Sequence, residues 1–280
     1  MMQFFFKRLY RGPLQTIILD WSGTTIDYGS LAPAQVFLDL FAQFGVPITV
    51  GEARDGMGLH KKEHIRRLTQ TVHIHQKWQE VHGRPPSELD VNEMYDQFAS
   101  RQFDVLANYT DLIPGTLDAV KYFRQRKLKI GSSTGYSRTM LDIILPAAKQ
   151  QGYEPDAVAC ASDVTAGRPA PWLFWHNLMQ LNVYPAETAV AVGDTSRDIA
   201  AGLNAGIWTV GVALTGNALG LSEAELAQVR ALDPITFNAQ KERAYQKLYQ
   251  AGAHYVVDTI ADVPRILDDI QDHLNRGERP

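Results

Sequence analysis

The chain has 280 residues, 45% hydrophobic and 21% charged, with a formal net charge of −4. That length accommodates one domain with an insertion, and that composition supplies a sizeable core. It excludes the basic, aromatic-interleaved surface of a nucleic-acid binder, and no apolar run approaches the roughly 20 residues of a membrane span.

The opening Phe4-Phe5-Phe6 is too short for a signal-peptide core, and Lys7, Arg8 and Arg11 follow it instead of preceding it. Cys160 has no second cysteine to pair with and reads as a small buried residue. Both features lead to the expectation of a cytoplasmic protein. The first apolar run, Thr16 to Leu19, ends at Asp20 and the turn Trp21-Ser22-Gly23-Thr24-Thr25. Residues from about 30 to 108 then read as successive helices: Pro33 to Phe44, Gly58 to Thr69, a stretch around Gln76 to Val81, and Asn92 to Ala107. A turn signal, Gly83-Arg84-Pro85-Pro86, follows the third. Apolar strand runs resume at Leu128 to Gly131, before Ser132-Ser133-Thr134-Gly135, and at Ala189 to Val192, before Gly193-Asp194. Further strands are predicted at Trp208 to Val212 and His254 to Val257, then a closing helix and a frayed 275–280.

Continuous apolar strands alternating with helices predict an α/β fold, a Rossmann-like doubly wound parallel sheet. The expected core is 1–29 with 109–280, and the expected insertion is a helical cap over 30–108. In such sheets ligands bind beyond the carboxyl ends of the strands, where Asp20, Thr134 and Asp194 all fall. A carboxylate at Asp20 suits a nucleophile, a metal ligand or a helix cap. Gly193-Asp194-Thr195-Ser196-Arg197-Asp198 adds two carboxylates, and with Asp20 they make an oxygen-rich set suited to Mg²⁺. Gly23, Thr24, Thr134 and Gly135 offer hydroxyl and N–H donors, and Arg168 a guanidinium, for phosphoryl oxygens. No G-x-G-x-x-G follows the first strand, which argues against nicotinamide binding.

These four elements, in this order, resemble the haloacid dehalogenase-like superfamily of hydrolases. The resemblance implies that Asp20 is a nucleophile, with Mg²⁺ held by Asp20, the Ser22 carbonyl and Asp194 and supported by Asp198. Thr134 and Arg168 would grip the phosphoryl group. Ser22 departs from that pattern, because superfamily phosphatases usually carry an Asp two residues after the nucleophile for acid–base work. Met57, Lys61 and His64, spaced i, i+4, i+7, would share one helical face. A buried lysine there would hold a usable fraction of free amine, although an exposed lysine is the commoner case. With Asp20 to Gly29, Met57 to His64, Gly135-Tyr136 and Thr165 to Pro169, the chain resembles the phosphonoacetaldehyde hydrolase family. By that resemblance Lys61 is a Schiff-base lysine surrounded by His64, Met57 and Tyr136, the reaction is carbon–phosphorus cleavage, and the assembly is a homodimer. An ordinary phosphatase or dehalogenase of the superfamily, or a non-catalytic phosphate sensor, are the competing readings.

Overall fold

The computed structural model describes residues 9–57 and 59–280, without the side chains of 99–104. Phe4-Phe5-Phe6 and Gly58 lie outside the described residues.

Six strands form one parallel sheet: β1 (Thr16–Leu19), β2 (Lys129–Thr134), β3 (Ala157–Cys160), β4 (Ala189–Gly193), β5 (Trp208–Val212) and β6 (Tyr255–Val257). Their order is β3-β2-β1-β4-β5-β6. This is a doubly wound topology, with its switch point between β1 and β4. All residues of β1, β4 and β5 are buried, so helices must cover both faces of the sheet. Leu19 stands opposite Val192, which brings the residues following both strands to the same edge.

Five helices intervene between β1 and the rest of the sheet: α1 (Leu31–Gln43), α2 (Val50–Asp55), α3 (Lys61–Gln70), α4 (Val72–His82) and α5 (Glu88–Leu106). Their buried faces make a separate apolar cluster, which includes Phe37, Phe41, Leu68, Trp78 and Phe98. The sheet is flanked by α6 (Thr116–Gln125), α7 (Arg138–Gln150), α8 (Trp172–Gln180), α9 (Ser196–Ala205), α10 (Glu223–Leu232), α11 (Pro234–Gln250) and α12 (Leu267–Asn275).

Local chemistry moves several boundaries. A capping box at Ser87 and Asp90 starts α5 at Glu88, ahead of the expected Asn92. A second capping box, Thr49 with Glu52, builds α2, a helix absent from the periodicity reading. Helix α3 starts at Lys61, so Met57 sits in the preceding turn and the three-residue helical face is corrected to two residues plus a turn residue. Strand β3, also unexpected, pairs with the far side of β2. At the C-terminus Arg276 Nε donates to Glu278 Oε1 at 2.7 Å, and Gly277 is buried against Leu9 and Arg11, while 278–280 adopt no regular structure.

Candidate active site

Asp20 is the first residue beyond β1, and its N–H donates to the Val192 carbonyl at 2.9 Å. Asp194 is the first residue beyond β4, and Asp198 lies in the first turn of α9, where its carboxylate accepts the Thr195 N–H at 3.0 Å. The three are buried, and one oxygen from each lies within 4.8 Å of the others. The backbone leaves room for this crowding only where side chains are missing. A Cβ at Gly23 would stand 2.5 Å from Asp194 Oδ2, and one at Gly216 would stand 2.3 Å from Asp194 Cβ.

Arg168 reaches into the cluster, donating from Nη2 to Asp20 Oδ1 at 2.7 Å and to the Ser133 carbonyl at 2.8 Å. Its Nη1 pairs with Asp198. Burial opposes the guanidinium's charge, but Asp198 and Asp20 more than offset that and hold it protonated. Burial, then Asp198 and Asp20, pushes the Asp194 carboxyl well above the usual carboxylate range. Burial lifts Asp198 to about 6 against the pull of Arg168. Three carboxylates against one guanidinium leave two formal negative charges. An all-oxygen donor set with that excess fits a hard divalent cation, so the cluster is competent to bind one.

The opposite wall comes from the inserted helices. Lys61 opens α3 and is only 6% exposed. Its Nζ lies 5.8 Å from the Phe37 ring centroid and 5.5 Å from that of Tyr136. Among the described residues it makes no ion pair. Burial therefore lowers its ammonium pKa to about 8, although Asp20 partly opposes the shift. His64, one turn along α3, is fully buried on Phe37 with ring centroids 4.1 Å apart, and burial keeps its imidazole neutral. A Cβ at Gly56 would stand 2.2 Å from the His64 ring, so the turn before α3 closes over that ring only because residue 56 is glycine.

A small cavity of about 40 Å³ joins the two walls and is lined by Asp20, Ser22, Met57, Lys61, Tyr136 and Arg168, among others. Thr134, Gly135 and Asp194 also face it. That volume suits a few waters or one small polar molecule. Gly23, Thr24, His64 and Asp198 are not among the lining residues: Gly23 packs on Asp194, Asp198 stands behind the cavity with Arg168, and Thr24 is buried with its hydroxyl unpartnered.

Three participants are not singled out by the sequence, although Asp27 lies within the Asp20 to Gly29 segment. Asp27, with φ of 55°, accepts from the Ser22 hydroxyl and from the Leu31 N–H at 3.0 Å, and burial raises its carboxyl to about 6. It caps α1 from three residues before the Ser30 N-cap position, whose own side chain makes no capping bond. Arg54 and Asn217 meet across 163 residues, with Arg54 Nη1 3.3 Å from Asn217 Oδ1. The T-x-x-E spacing of Thr49 to Glu52 marks the start of α2, but no local pattern identifies the partners of Arg54.

Comparison with known proteins identifies the family of the chain. Residues 17–212 match the model of the haloacid dehalogenase-like hydrolase family. A phosphonoacetaldehyde hydrolase-like protein of Syntrophobacter fumaroxidans is 45% identical over 97% of this chain and 97% of its own length. A phosphonoacetaldehyde hydrolase of Bacillus cytotoxicus is 45% identical over 92% of this chain and 97% of its own. The crystal structure of a phosphonoacetaldehyde hydrolase-like protein from Oleispira antarctica superposes with a TM-score of 0.95 at 39% identity, covering 100% of both chains.

Proposed function

The chain belongs to the haloacid dehalogenase-like hydrolases, within them to the phosphonoacetaldehyde hydrolase family, and from that membership we propose that it hydrolyses phosphonoacetaldehyde to acetaldehyde and phosphate. The observation that carries the reading is a carboxylate and an amine opening from opposite walls into one small cavity. A phosphatase needs the carboxylate; cleavage of a carbon–phosphorus bond needs both.

Expelling a bare carbanion from phosphorus is prohibitive, and there is no bridging oxygen to protonate. The Lys61 amine therefore adds to the aldehyde and loses water, giving a protonated imine next to the departing carbon. Asp20 attacks phosphorus, the C–P electron pair moves into the imine, and the carbon leaves as a neutral enamine. Protonation at carbon and hydrolysis of the resulting imine release acetaldehyde and restore Lys61. A second water cleaves the aspartyl phosphate, so one water is consumed overall. Ser22 is tolerated where phosphatases keep an Asp, because no oxygen leaving group awaits a proton.

Arg168, Thr134 and the Gly135 N–H bind phosphoryl oxygens, with Gly23 and Thr24 shaping the turn below them. Met57 and Tyr136 enclose Lys61, Tyr136 handles protons or places water near it, and His64 supports it from behind the cavity lining. Asp20, the Ser22 carbonyl and Asp194 would hold Mg²⁺, with Asp198 supporting from behind. When bound, the ion would supply charge neutralisation between carboxylate and phosphoryl oxygens. Residues 30–108 act as a cap that closes over a core of 1–29 and 109–280, excluding water as Lys61 meets Asp20's substrate. The family reading also carries a homodimer in the cytoplasm, which sedimentation and fractionation test. No helix among the described residues is long and apolar enough to cross a membrane.

The experiment is acetaldehyde release from phosphonoacetaldehyde, followed through alcohol dehydrogenase and NADH with parallel phosphate detection. Equal release of both products supports the reading. Phosphate from simple phosphate esters with none from phosphonoacetaldehyde would return the chain to the ordinary phosphatases.

A further inference from the structure

The reaction needs Lys61 and Asp20 to work on one small molecule, yet they stand on separate structural elements. What registers one against the other is therefore part of the machinery. Arg54, near the end of α2, makes an extensive polar bridge between the inserted helices and the loop whose Asn217 holds Asp194. Its Nη1 donates to the Gly29 carbonyl at 3.0 Å, its Nη2 to the Gly220 carbonyl at 3.1 Å, and Asn217 Oδ1 lies 3.3 Å from Nη1. The guanidinium packs so closely on Gly220, φ +64°, that a Cβ there would stand 2.3 Å from Arg54 Cζ. Among the described residues it forms no salt bridge, so its charge is spent on carbonyls that only a planar, multi-donor fork can serve together.

The bridge is reciprocal and it leads to both catalytic walls. Asn217 returns a hydrogen bond from Nδ2 to the Arg54 carbonyl at 3.2 Å, and the same carbonyl accepts the Met57 N–H at 3.2 Å. Met57, Leu59 and Lys61, the next cavity-lining residues along the chain, follow directly. On the other side the Asn217 N–H donates to Asp194 Oδ2 at 2.6 Å. Gly29, which Arg54 also holds, donates its own N–H to the Thr215 carbonyl at 2.7 Å, two residues from Asn217. From Asp194 the contacts run through the Asn217 N–H and its amide side chain to the Arg54 carbonyl and on to the Met57 N–H, four residues before Lys61.

We propose that Arg54 and Asn217 form a latch that couples occupation of the Asp194 cation site to the seating of Lys61 over Asp20. Arg54 is a positioning residue: it touches neither substrate nor metal and acts by fixing the turn that carries Lys61. The inference rests on the two-wall reading of the active site and says how the walls are kept in register. Closure of the turn then depends on cation binding, and by linkage cation affinity depends on the latch.

The test is hydrogen exchange of the full-length protein with and without Mg²⁺, in wild type, Arg54→Gln, Arg54→Lys and Asn217→Ala. In wild type, Mg²⁺ should slow exchange both in the 215–220 loop and in 54–65. In Arg54→Gln and Arg54→Lys the loop should still respond while 54–65 no longer does, since lysine keeps the charge but not the fork. Half-saturating Mg²⁺ should rise about tenfold in Arg54→Gln and in Asn217→Ala, and the double variant should show less than the product of the two, as for residues in one link. If Arg54→Gln does not fold, Asn217→Ala, which keeps the backbone donor to Asp194, carries the same measurement. An unchanged Mg²⁺ response of 54–65 in the variants, or multiplicative effects in the double variant, would overturn the latch. If wild type releases no acetaldehyde yet Mg²⁺ protects 54–65, the substrate reading falls and the latch stands. If wild type turns over and Mg²⁺ leaves 54–65 unaffected, the latch alone falls.

Discussion

The core wall of the cavity crowds charge, whereas the wall built from the inserted helices isolates it. Arg168 pairs with Asp20 and Asp198, and one oxygen of each of Asp20, Asp194 and Asp198 lies within 4.8 Å of the others, each carboxylate fixed by backbone or side-chain donors. Lys61 faces aromatic rings and has no ion-pair partner among the described residues. Under the proposed mechanism the difference follows from what each wall would do. Phosphoryl transfer gathers negative charge and calls for fixed donors and a cation, so acidic groups are packed until only a metal relieves them. Imine formation requires an uncharged amine, and an apolar setting with no carboxylate contact is how a lysine keeps one near neutral pH. Among the described residues the buried amine also has no hydrogen-bond partner to hold it away from substrate.

Substitutions on the two walls should therefore fail differently. Asp20→Asn should lower turnover by about 10⁴-fold or more, as expected for loss of a covalent nucleophile, while leaving imine formation at Lys61 intact. Lys61→Ala should lose phosphonoacetaldehyde turnover to a comparable extent, about 10³-fold or more, with no imine formed. Coupled phosphate release and reductive trapping, run side by side on both variants, separate these patterns. A variant pair that failed identically in both assays would erase the distinction between the walls.

Chelation should act first on the charged wall and, through the Arg54–Asn217 latch, loosen the seating of Lys61. EDTA should reduce turnover by at least about a hundredfold, reversed by Mg²⁺, since charge neutralisation at the reacting oxygens is worth several kcal/mol. The same treatment should lower the melting temperature by removing the counter-charge to three buried carboxylates, readable by calorimetry. Lys61 trapping should persist at a reduced rate, because the amine remains while its seating over Asp20 is loosened.

The legible parts of this molecule are those with short-range causes. The apolar runs of β1, β4 and β5 announce buried parallel strands, and the residues ending them, Asp20 and Asp194, fall where the doubly wound topology collects ligands. Lys61 is legible through its neighbours in the chain. The strand Ala157–Cys160 escapes notice because four small or medium residues at the sheet edge carry no period that distinguishes them from a loop. Helix α2 is too short for a hydrophobic stripe, and its capping box is its sole local signature. Asp27 and Arg54 matter through contacts that fold geometry alone creates, in one case a left-handed backbone and in the other a partner 163 residues away. Met57 shows the opposite hazard: the right residue inferred from a helical spacing that the turn at Gly56 interrupts.

A smaller effect distinguishes the walls by pH. Below about 8 the Lys61 amine is increasingly protonated, so imine formation should fall up to tenfold per unit as pH drops through 7. Stability should show the complementary trend. Lys61 titrates lower in the folded chain, about 8, than its ordinary 10.5, so the unfolded chain binds more protons between those values. The penalty for burying the ammonium is fully present below about 8 and is relieved as pH rises toward 10.5. Lys61→Met should accordingly raise the melting temperature at pH 7, with the gain shrinking toward pH 10.

The smallest effect belongs to His64. Fully buried, neutral and outside the cavity lining, it should cost about tenfold in turnover when changed to Leu, below the 10²–10⁴ expected of a direct acid or base. A loss near the upper end of that range, with the amine still trapped normally, would move His64 from supporting Lys61 to transferring a proton itself.

The central claim is that one cavity joins a phosphoryl-accepting carboxylate to an imine-forming lysine. Its most direct test is borohydride reduction during turnover of phosphonoacetaldehyde, followed by peptide mass spectrometry. Irreversible inactivation with a reduced adduct on the peptide containing Lys61, and none in Lys61→Ala, is the result expected. Continued release of acetaldehyde and phosphate under borohydride, with Lys61 unmodified, would contradict it.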